Sequence, residues 1–216
     1  MKRNLFLVFG EDDNDRRAIA VLISSLAPNA KVESRRRPLV LARNAEKSGK
    51  RREMSEEIAA LWRNERTKDV LVTAVVHRDC DAVEPAHVAE AQALKQLLLQ
   101  AGISSSIAVT PAWEIETWWM LFPNALATVR GCWRSVNYGA RAVGVIENSK
   151  ERLKRDLRPV GSKAQKACKD YSEIDSLRVS EEIKKQNLIS PTARSRSASF
   201  DVFCLEIEAV VAEAAA

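Results

Sequence analysis

Acidic side chains directly follow three apolar segments of the sequence. They are Glu11, Asp12, Asp13 and Asp15 after "NLFLVF", Asp79 and Asp81 after "DVLVTAVV", and Glu114 and Glu116 after "SSIAVT". Like charges gathered this closely repel one another unless a cation neutralises them. Carboxylates from separate segments form a hard oxygen site, which suits Mg²⁺ or Mn²⁺. Such an ion activates a water nucleophile and stabilises the leaving oxygen in phosphoryl transfer.

The spacing selects Glu11, Asp79 and Asp81 as candidate metal ligands and catalytic residues. In extended backbone, residues two apart point the same way, so Asp79 and Asp81 can converge on one ion. Glu114 or Glu116 would complete a second metal position or take a proton from the attacking water. Helix capping at the start of the following helix explains these two glutamates equally well, and both interpretations stay open.

Two acids of the first cluster, Asp13 and Asp15, are better explained as helix caps or solvated loop residues. Among the histidines, His77 precedes the second acidic cluster and could donate to a ligand, although a structural histidine is the simpler interpretation. The chemistry predicted here therefore depends chiefly on the acids that follow the first and third strands.

Strand-like and helix-like segments alternate through the first half of the chain. The predicted strands are 5–9, 30–35, 69–76 and 105–110, and the predicted helices are 15–26, 55–66 and 86–102. This alternation is typical of an α/β fold with a parallel sheet, here Rossmann-like with about four strands. Ligands bind at the carboxyl ends of the strands in such sheets, which is where the acids lie.

The character of the sequence changes after Pro111. The segments that look helical are "EIETWWMLF", "SKERLKRDL", "KAQKACKDY", "LRVSEEIKKQ" and "DVFCLEIEAVVAEAAA". We therefore predict an α/β core at 1–111 and a C-terminal helical extension at 112–216. Trp113, Trp118, Trp119 and Met120 are expected to form core where this extension docks.

The composition is that of a globular protein: 46% of the 216 residues are hydrophobic and 29% are charged. No run of 18 apolar residues occurs, so no membrane-spanning segment is expected. The four cysteines (80, 132, 168 and 204) are scattered and form no CxxC pair. That spacing argues against a zinc site or a disulfide framework and suggests a reducing, cytoplasmic setting.

The net charge of +5 is unevenly distributed, since residues 31–52 hold nine Lys and Arg against two acids. Such patches suit a polyanion, and nucleic acid is the expected partner. The candidate nucleic-acid-binding residues are Arg35, Arg36, Arg37, Arg51, Arg52, Arg194 and Arg196. A solvated basic surface explains the same charges equally well.

The order of these motifs resembles the TOPRIM family, the metal-binding domain of topoisomerases, primases and OLD-like nucleases. Glu11 matches the family glutamate after the first strand, and Asp79 and Asp81 match its Asp-x-Asp. The OLD-like branch has glycine after the glutamate, where this chain has Asp12, and Asp15 can stand in for the second acid of that branch. The resemblance implies a metal-dependent nuclease that uses Mg²⁺ or Mn²⁺.

The later features resemble one group of small, stand-alone TOPRIM proteins of phage-defence loci. That group carries "P-x-x-E-x-E-x-W", here Pro111, Glu114, Glu116 and Trp118, and ends in "Ser-Phe-x-x-Phe", here Ser199, Phe200 and Phe203. The resemblance implies an ABC-type ATPase as a partner protein.

Two other functions fit parts of the sequence. A degraded TOPRIM domain could regulate a partner ATPase without catalysis, and the Asp12 departure favours that alternative. The opening of the chain also resembles a response-regulator receiver, but the spacing from Asp12 to Asp79 is too long for the phosphoacceptor and the lysine after the later strand is missing.

Overall fold

The computed structural model describes residues 3–10, 12–36, 50–159, 168–189 and 196–215. Its centre is a four-stranded sheet with the strand order β2-β1-β3-β4. The strands are β1 (Arg3–Phe9), β2 (Lys31–Ser34), β3 (Val70–His77) and β4 (Ser106–Val109). Every neighbouring pair is parallel, so all four carboxyl ends lie along the same side of the sheet. This confirms the predicted Rossmann-like α/β fold.

Helices connect the strands and form most of the second half. They are α1 (Asp13–Leu26), α2 (Lys50–Glu65), α3 (Ala86–Gln100), α4 (Glu116–Trp119), α5 (Pro123–Val129), α6 (Ser149–Leu157), α7 (Ile174–Lys185) and α8 (Ala198–Ala215). Each predicted strand and helix of the first half has a counterpart here with slightly different ends. None of the helices in the described ranges has the length and apolar character needed to cross a bilayer.

Both faces of the sheet are buried, as expected for parallel strands. Phe6 and Val8 of β1 pack on one face with the buried residues of α1. Leu7 and Phe9 point to the opposite face and pack with Trp62 of α2. This alternation follows from the period of two in a strand. Full burial of each such side chain contributes about 1.5–3 kcal/mol to stability.

The C-terminal helices pack on the α1 face. Trp118, Trp119 and Met120 are fully buried in the same hydrophobic cluster as the sheet residues, which confirms that they are core residues. Trp113 is only half-buried and belongs to neither hydrophobic cluster, so the prediction that it forms core is wrong. Phe200 and Phe203 of α8 lie against Trp118, with ring centroids 5.2 and 5.1 Å away. The helix α7 contacts α1 directly. The extension therefore completes the core that begins with the sheet.

One predicted helix differs from the structure. The segment predicted at 163–171 is described only from Cys168 onward, and that part is not helical. Cys168 instead forms a disulfide with Cys132, with their Cα atoms 6.1 Å apart. Trp133 fixes the same segment, because its Nε1 donates to the carbonyl of Lys169 at 2.9 Å. The expectation that the scattered cysteines form no disulfide is therefore wrong for this pair.

Candidate metal centre

Two loops at the carboxyl ends of β3 and β4 run side by side, and we call them the β3 loop (78–85) and the β4 loop (110–115). The Cys80 N–H donates to the carbonyl of Pro111 at 3.3 Å, and the Asp81 N–H donates to that of Trp113 at 2.9 Å. The Trp113 N–H donates in turn to the carbonyl of Ala82 at 2.7 Å. The pairing of β3 with β4 thus continues beyond the strands, which brings the acids of both loops together.

Three side chains at this end of the sheet could hold a metal ion. Asp15 comes from α1, His77 is the last residue of β3, and Asp79 is the second residue of the β3 loop. One ligand atom from each residue lies within 4.8 Å of the other two. Because the three elements converge on the carboxyl ends of β1 and β3, the fold itself assembles this group.

The same three side chains have buried polar atoms that lack a hydrogen-bond partner among the described residues. These atoms are Oδ1 of Asp15, both ring nitrogens of His77 and Oδ1 of Asp79. His77 Nε2 lies 3.2 Å from Asp79 Oδ1, but the contact lacks the angles of a hydrogen bond. Buried polar atoms are nearly always paired, so a group of such atoms without protein partners could bind a metal ion.

Asp12, and not Asp13 or Asp15, is the N-cap of α1. Its Oδ1 accepts the N–H groups of Asn14 at 2.6 Å and of Asp15 at 2.9 Å. Asp15 therefore does not cap the helix, and its side chain is buried. Burial raises the pKa of Asp15 well above its usual value, and the nearby Asp79 carboxylate raises it further. The sequence-based preference for a cap or solvated role at Asp15 is wrong.

Glu114 lies beside this group and is paired with a lysine from the extension. Lys150 of α6 places its Nζ 3.3 Å from Glu114 Oε2 and 2.7 Å from Glu173. The pKa of Glu114 is raised because burial and Asp79 outweigh the favourable charge of Lys150. The pKa of Lys150 is also raised, because its pairing with Glu173 and Glu114 outweighs its burial.

Glu116 is the most deeply buried acid of the site, with 2% of its surface exposed. Burial raises its pKa to about 8, and the charges of Glu114 and Asp79 add to the effect. Tyr171 donates its hydroxyl to Glu116 Oε1 at 3.0 Å, and that hydroxyl lies 2.9 Å from the Ser176 hydroxyl. At neutral pH Glu116 therefore holds a proton.

Asp81 differs from the other predicted ligands. Its φ angle is 49°, in the left-handed region, so the backbone from Asp79 to Asp81 is not extended and the expected side-chain alternation does not apply. Asp81 is exposed, and it does not belong to the group formed by Asp15, His77 and Asp79. The candidate ligand Glu11 lies outside the described residues.

Three of the seven predicted nucleic-acid-binding arginines have side chains in the described part of the chain. Arg37 and Arg194 lie outside the described residues, as do the side chains of Arg51 and Arg52. Arg35 pairs with Glu33 and with Glu65, whereas Arg36 is exposed at the end of β2. Arg196 donates to the carbonyl of Gly139. With only Arg35, Arg36 and Arg196 described, the nucleic-acid-binding role of the seven arginines stays a prediction.

A polar cleft of about 300 Å³ lies on the other side of α6 and was not predicted. Arg134 and Arg152 line it together with Tyr138 and Asp156. Arg152 Nε donates to Asp156 Oδ2 at 2.7 Å, so one of the two arginine charges is partly balanced. For Arg152 the sequence signal is the excess of basic residues at 151–200, with twelve Lys and Arg against seven acids.

Lys150 and Tyr171 were not predicted as site residues. Asp15 was predicted to be a cap or solvated residue and His77 a structural histidine, whereas both belong to the candidate ligand group. The chain matches no protein-family model, no curated protein and no solved structure.

Proposed function

We propose that this chain is a divalent-metal-dependent nuclease of the TOPRIM type, which acts on DNA or RNA as the effector of a phage-defence system. The observation that carries the proposal is the group of buried, unpaired ligand atoms on Asp15, His77 and Asp79. Their position at the carboxyl ends of parallel strands is where α/β proteins bind ligands. Carboxylates suit Mg²⁺ and Mn²⁺, and the imidazole nitrogen favours a transition metal such as Mn²⁺.

The surrounding residues fit phosphodiester hydrolysis. A bound divalent ion lowers the pKa of water and stabilises charge on the leaving oxygen. Glu114 is the better of the two glutamates for taking a proton from water, because its side chain is 15% exposed and can meet solvent. Glu116 suits that role less well, because its carboxyl group is buried and already accepts the Tyr171 hydroxyl. Lys150 keeps a positive charge beside Glu114 that can offset charge on a phosphate.

The substrate backbone would be held by basic side chains outside the metal centre. Arg36 lies at the carboxyl end of β2, and Arg134 and Arg152 line the cleft beside α6, the helix that carries Lys150. Arginine binds phosphate without reading the bases, so these contacts favour binding that does not depend on sequence. This arrangement supports a polyanionic substrate.

A second candidate is a non-catalytic TOPRIM-like subunit that regulates an ABC-type ATPase. The observation in its favour is that Asp81, the second acid of the Asp-x-Asp, is exposed and lies outside the ligand group. A site with fewer carboxylates would bind an ion more weakly, and such a protein could retain binding without cleavage.

The test is a cleavage assay with fluorescent single- and double-stranded DNA and RNA, in Mg²⁺, Mn²⁺ or chelator. Cleavage by wild type should require the metal, and Asp15→Asn and Asp79→Asn should each lose it. Asparagine keeps the side-chain size but removes the negative charge that the ion needs. Asp69→Asn is the matched control, because Asp69 is exposed at the opposite end of β3.

Calorimetric titration with Mn²⁺ separates the two candidates. Binding with cleavage supports the nuclease, and binding without cleavage, alone or with an added ABC-type ATPase, supports the regulatory subunit. Equal cleavage by wild type and Asp79→Asn would identify a contaminating enzyme and overturn the nuclease proposal. Absence of Mn²⁺ binding would overturn the metal centre in both candidates.

A further inference from the structure

Glu84, the penultimate residue of the β3 loop, contacts the start of the C-terminal helix. Its Oε1 accepts the backbone N–H of Ser199 at 2.9 Å and the hydroxyl of Ser197 at 2.8 Å. Ser197 directly precedes α8, so these donors belong to the first turn, where helix N–H groups have no partner within the helix. A carboxylate is also favoured there by the helix dipole. Glu84 therefore caps a helix more than a hundred residues away in sequence.

Ser199 extends the junction to the β4 loop. Its buried Oγ accepts the backbone N–H of Ala112 at 3.3 Å and the indole N–H of Trp118 at 3.0 Å. The β3 loop is hydrogen-bonded to both neighbours of Ala112, namely Pro111 and Trp113. The two acid-bearing loops and the start of α8 thus form a closed ring of hydrogen bonds.

A third segment is packed against the same carboxylate. The Glu84 N–H donates to the carbonyl of Gly144 at 2.9 Å, in the 3₁₀ turn Val143–Val145. A Cβ added at Gly144 would lie 2.0 Å from the carboxyl carbon of Glu84. Only glycine fits beside Glu84 in this position. The turn leads into α6, which carries Lys150, so the junction also adjoins the segment that pairs with Glu114.

We propose that Glu84 is a positioning residue, which docks both acid-bearing loops onto α8 and so sets the arrangement of the acids at the metal centre. It touches none of the three ligand side chains and acts through the backbone of the two loops. The expected effect of Glu84 on metal affinity rests on the function proposed above. The docking of the two loops onto α8 is independent of that function.

The first experiment is hydrogen–deuterium exchange of the full-length, metal-free protein, read by mass spectrometry. Glu84→Ala should speed exchange by about tenfold in residues 78–85 and 110–115 and at the start of α8, because the lost hydrogen bonds join these segments. Glu84→Gln should remain close to wild type, since its amide oxygen accepts the same two hydrogen bonds. Gly144→Ala should resemble Glu84→Ala, because it displaces the carboxylate and changes no donor or acceptor. Glu147→Ala, at an exposed position near the turn, is the control.

The second experiment is Mn²⁺ titration of the same variants. Glu84→Ala and Gly144→Ala should weaken binding about tenfold or more, as loss of a residue that supports the ligands does, while Glu84→Gln should bind normally. Uniformly faster exchange that includes β1 and β3, or unchanged exchange in both loops, would overturn the positioning role. If Glu84→Ala does not fold, Gly144→Ala and Glu84→Gln supply the same comparison. If wild type binds no Mn²⁺ while exchange changes only in the two loops and at the start of α8, the metal function fails and the docking role stands.

Discussion

The buried Glu116 gives the metal-free protein a stability that falls as pH rises. Its pKa is about 8 in the folded protein, against an ordinary value of 4.5. Between these values the folded state keeps a proton that the unfolded state has released, so folding becomes less favourable with each step up in pH. At about 1.4 kcal/mol for each tenfold change in proton affinity, the whole interval amounts to about 5 kcal/mol.

Glu116→Gln removes this ionisation and keeps both the side-chain size and the oxygen that accepts from Tyr171. We expect the variant to match wild type near pH 4.5 and to be more stable by several kcal/mol above about pH 8. The assay is urea unfolding in chelator at several pH values, followed by tryptophan fluorescence. The pKa values of Asp15 and Glu114 are also raised, so these groups add to the pH dependence of both proteins. The quantity to compare is therefore the difference in unfolding free energy between Glu116→Gln and wild type at each pH.

Glu147→Gln is the control, because Glu147 is exposed and its replacement should leave the pH dependence unchanged. Parallel stability curves for Glu116→Gln and wild type would refute the reasoning, since Glu116 would then ionise alike in the folded and unfolded states. A variant less stable than wild type at every pH would show that the amide does not fit the buried site.

Three further predictions concern the extension and the cleft. Replacing Cys132 and Cys168 with serine should lower the free energy of unfolding by up to about 4 kcal/mol, because the disulfide closes a loop with a sequence separation of 36; a reducing agent should bring wild type to the same level in urea unfolding. Arg130→Met should lower the free energy of unfolding by about 3 kcal/mol in the same assay, since it removes the 2.6 Å ion pair of the fully buried Asp175 and leaves that carboxylate only the Ser172 donors and Arg178 at 3.9 Å among the described residues; adding Asp175→Asn should recover part of the loss. Arg134→Ala should reduce the slope of log affinity for DNA or RNA against log salt by about one, and an unchanged slope would remove the cleft from the interface.

The fold could be predicted from the sequence because its signals are local. The continuous apolar run of β1 and the helical periodicity of α1 and α3 each lie within one element, so their types were recognisable. The positions of the acids after β3 and β4 also followed from strand ends. The helix predicted over 163–171 is wrong for its described part, residues 168–171, where Cys168 is held by the disulfide to Cys132. Such a long-range contact leaves no periodic pattern in the sequence.

The candidate site was predictable only in part, because distant packing decides which side chains reach it. Asp79 was correctly expected beside other acids, whereas the left-handed backbone at Asp81 had no glycine to signal it. Asp15 is a candidate ligand because Asp12, and not Asp15, caps α1, which leaves the Asp15 carboxylate directed into the site. Lys150 comes from a helix of the extension, and nothing near it in the sequence connects it with Glu114.

The two outer strands of the sheet, β2 and β4, have only four residues each. An edge strand presents unpaired N–H and C=O groups to any other chain, and a long edge invites strand addition and aggregation. Along β2 the charged pair Lys31 and Glu33, 2.5 Å apart, is followed by Arg35, so an incoming strand would have to desolvate these charges. Parallel sheets form slowly and expose their edges while they do so. Short edges, one of them charged, therefore help keep the newly made chain from aggregating before the sheet is complete.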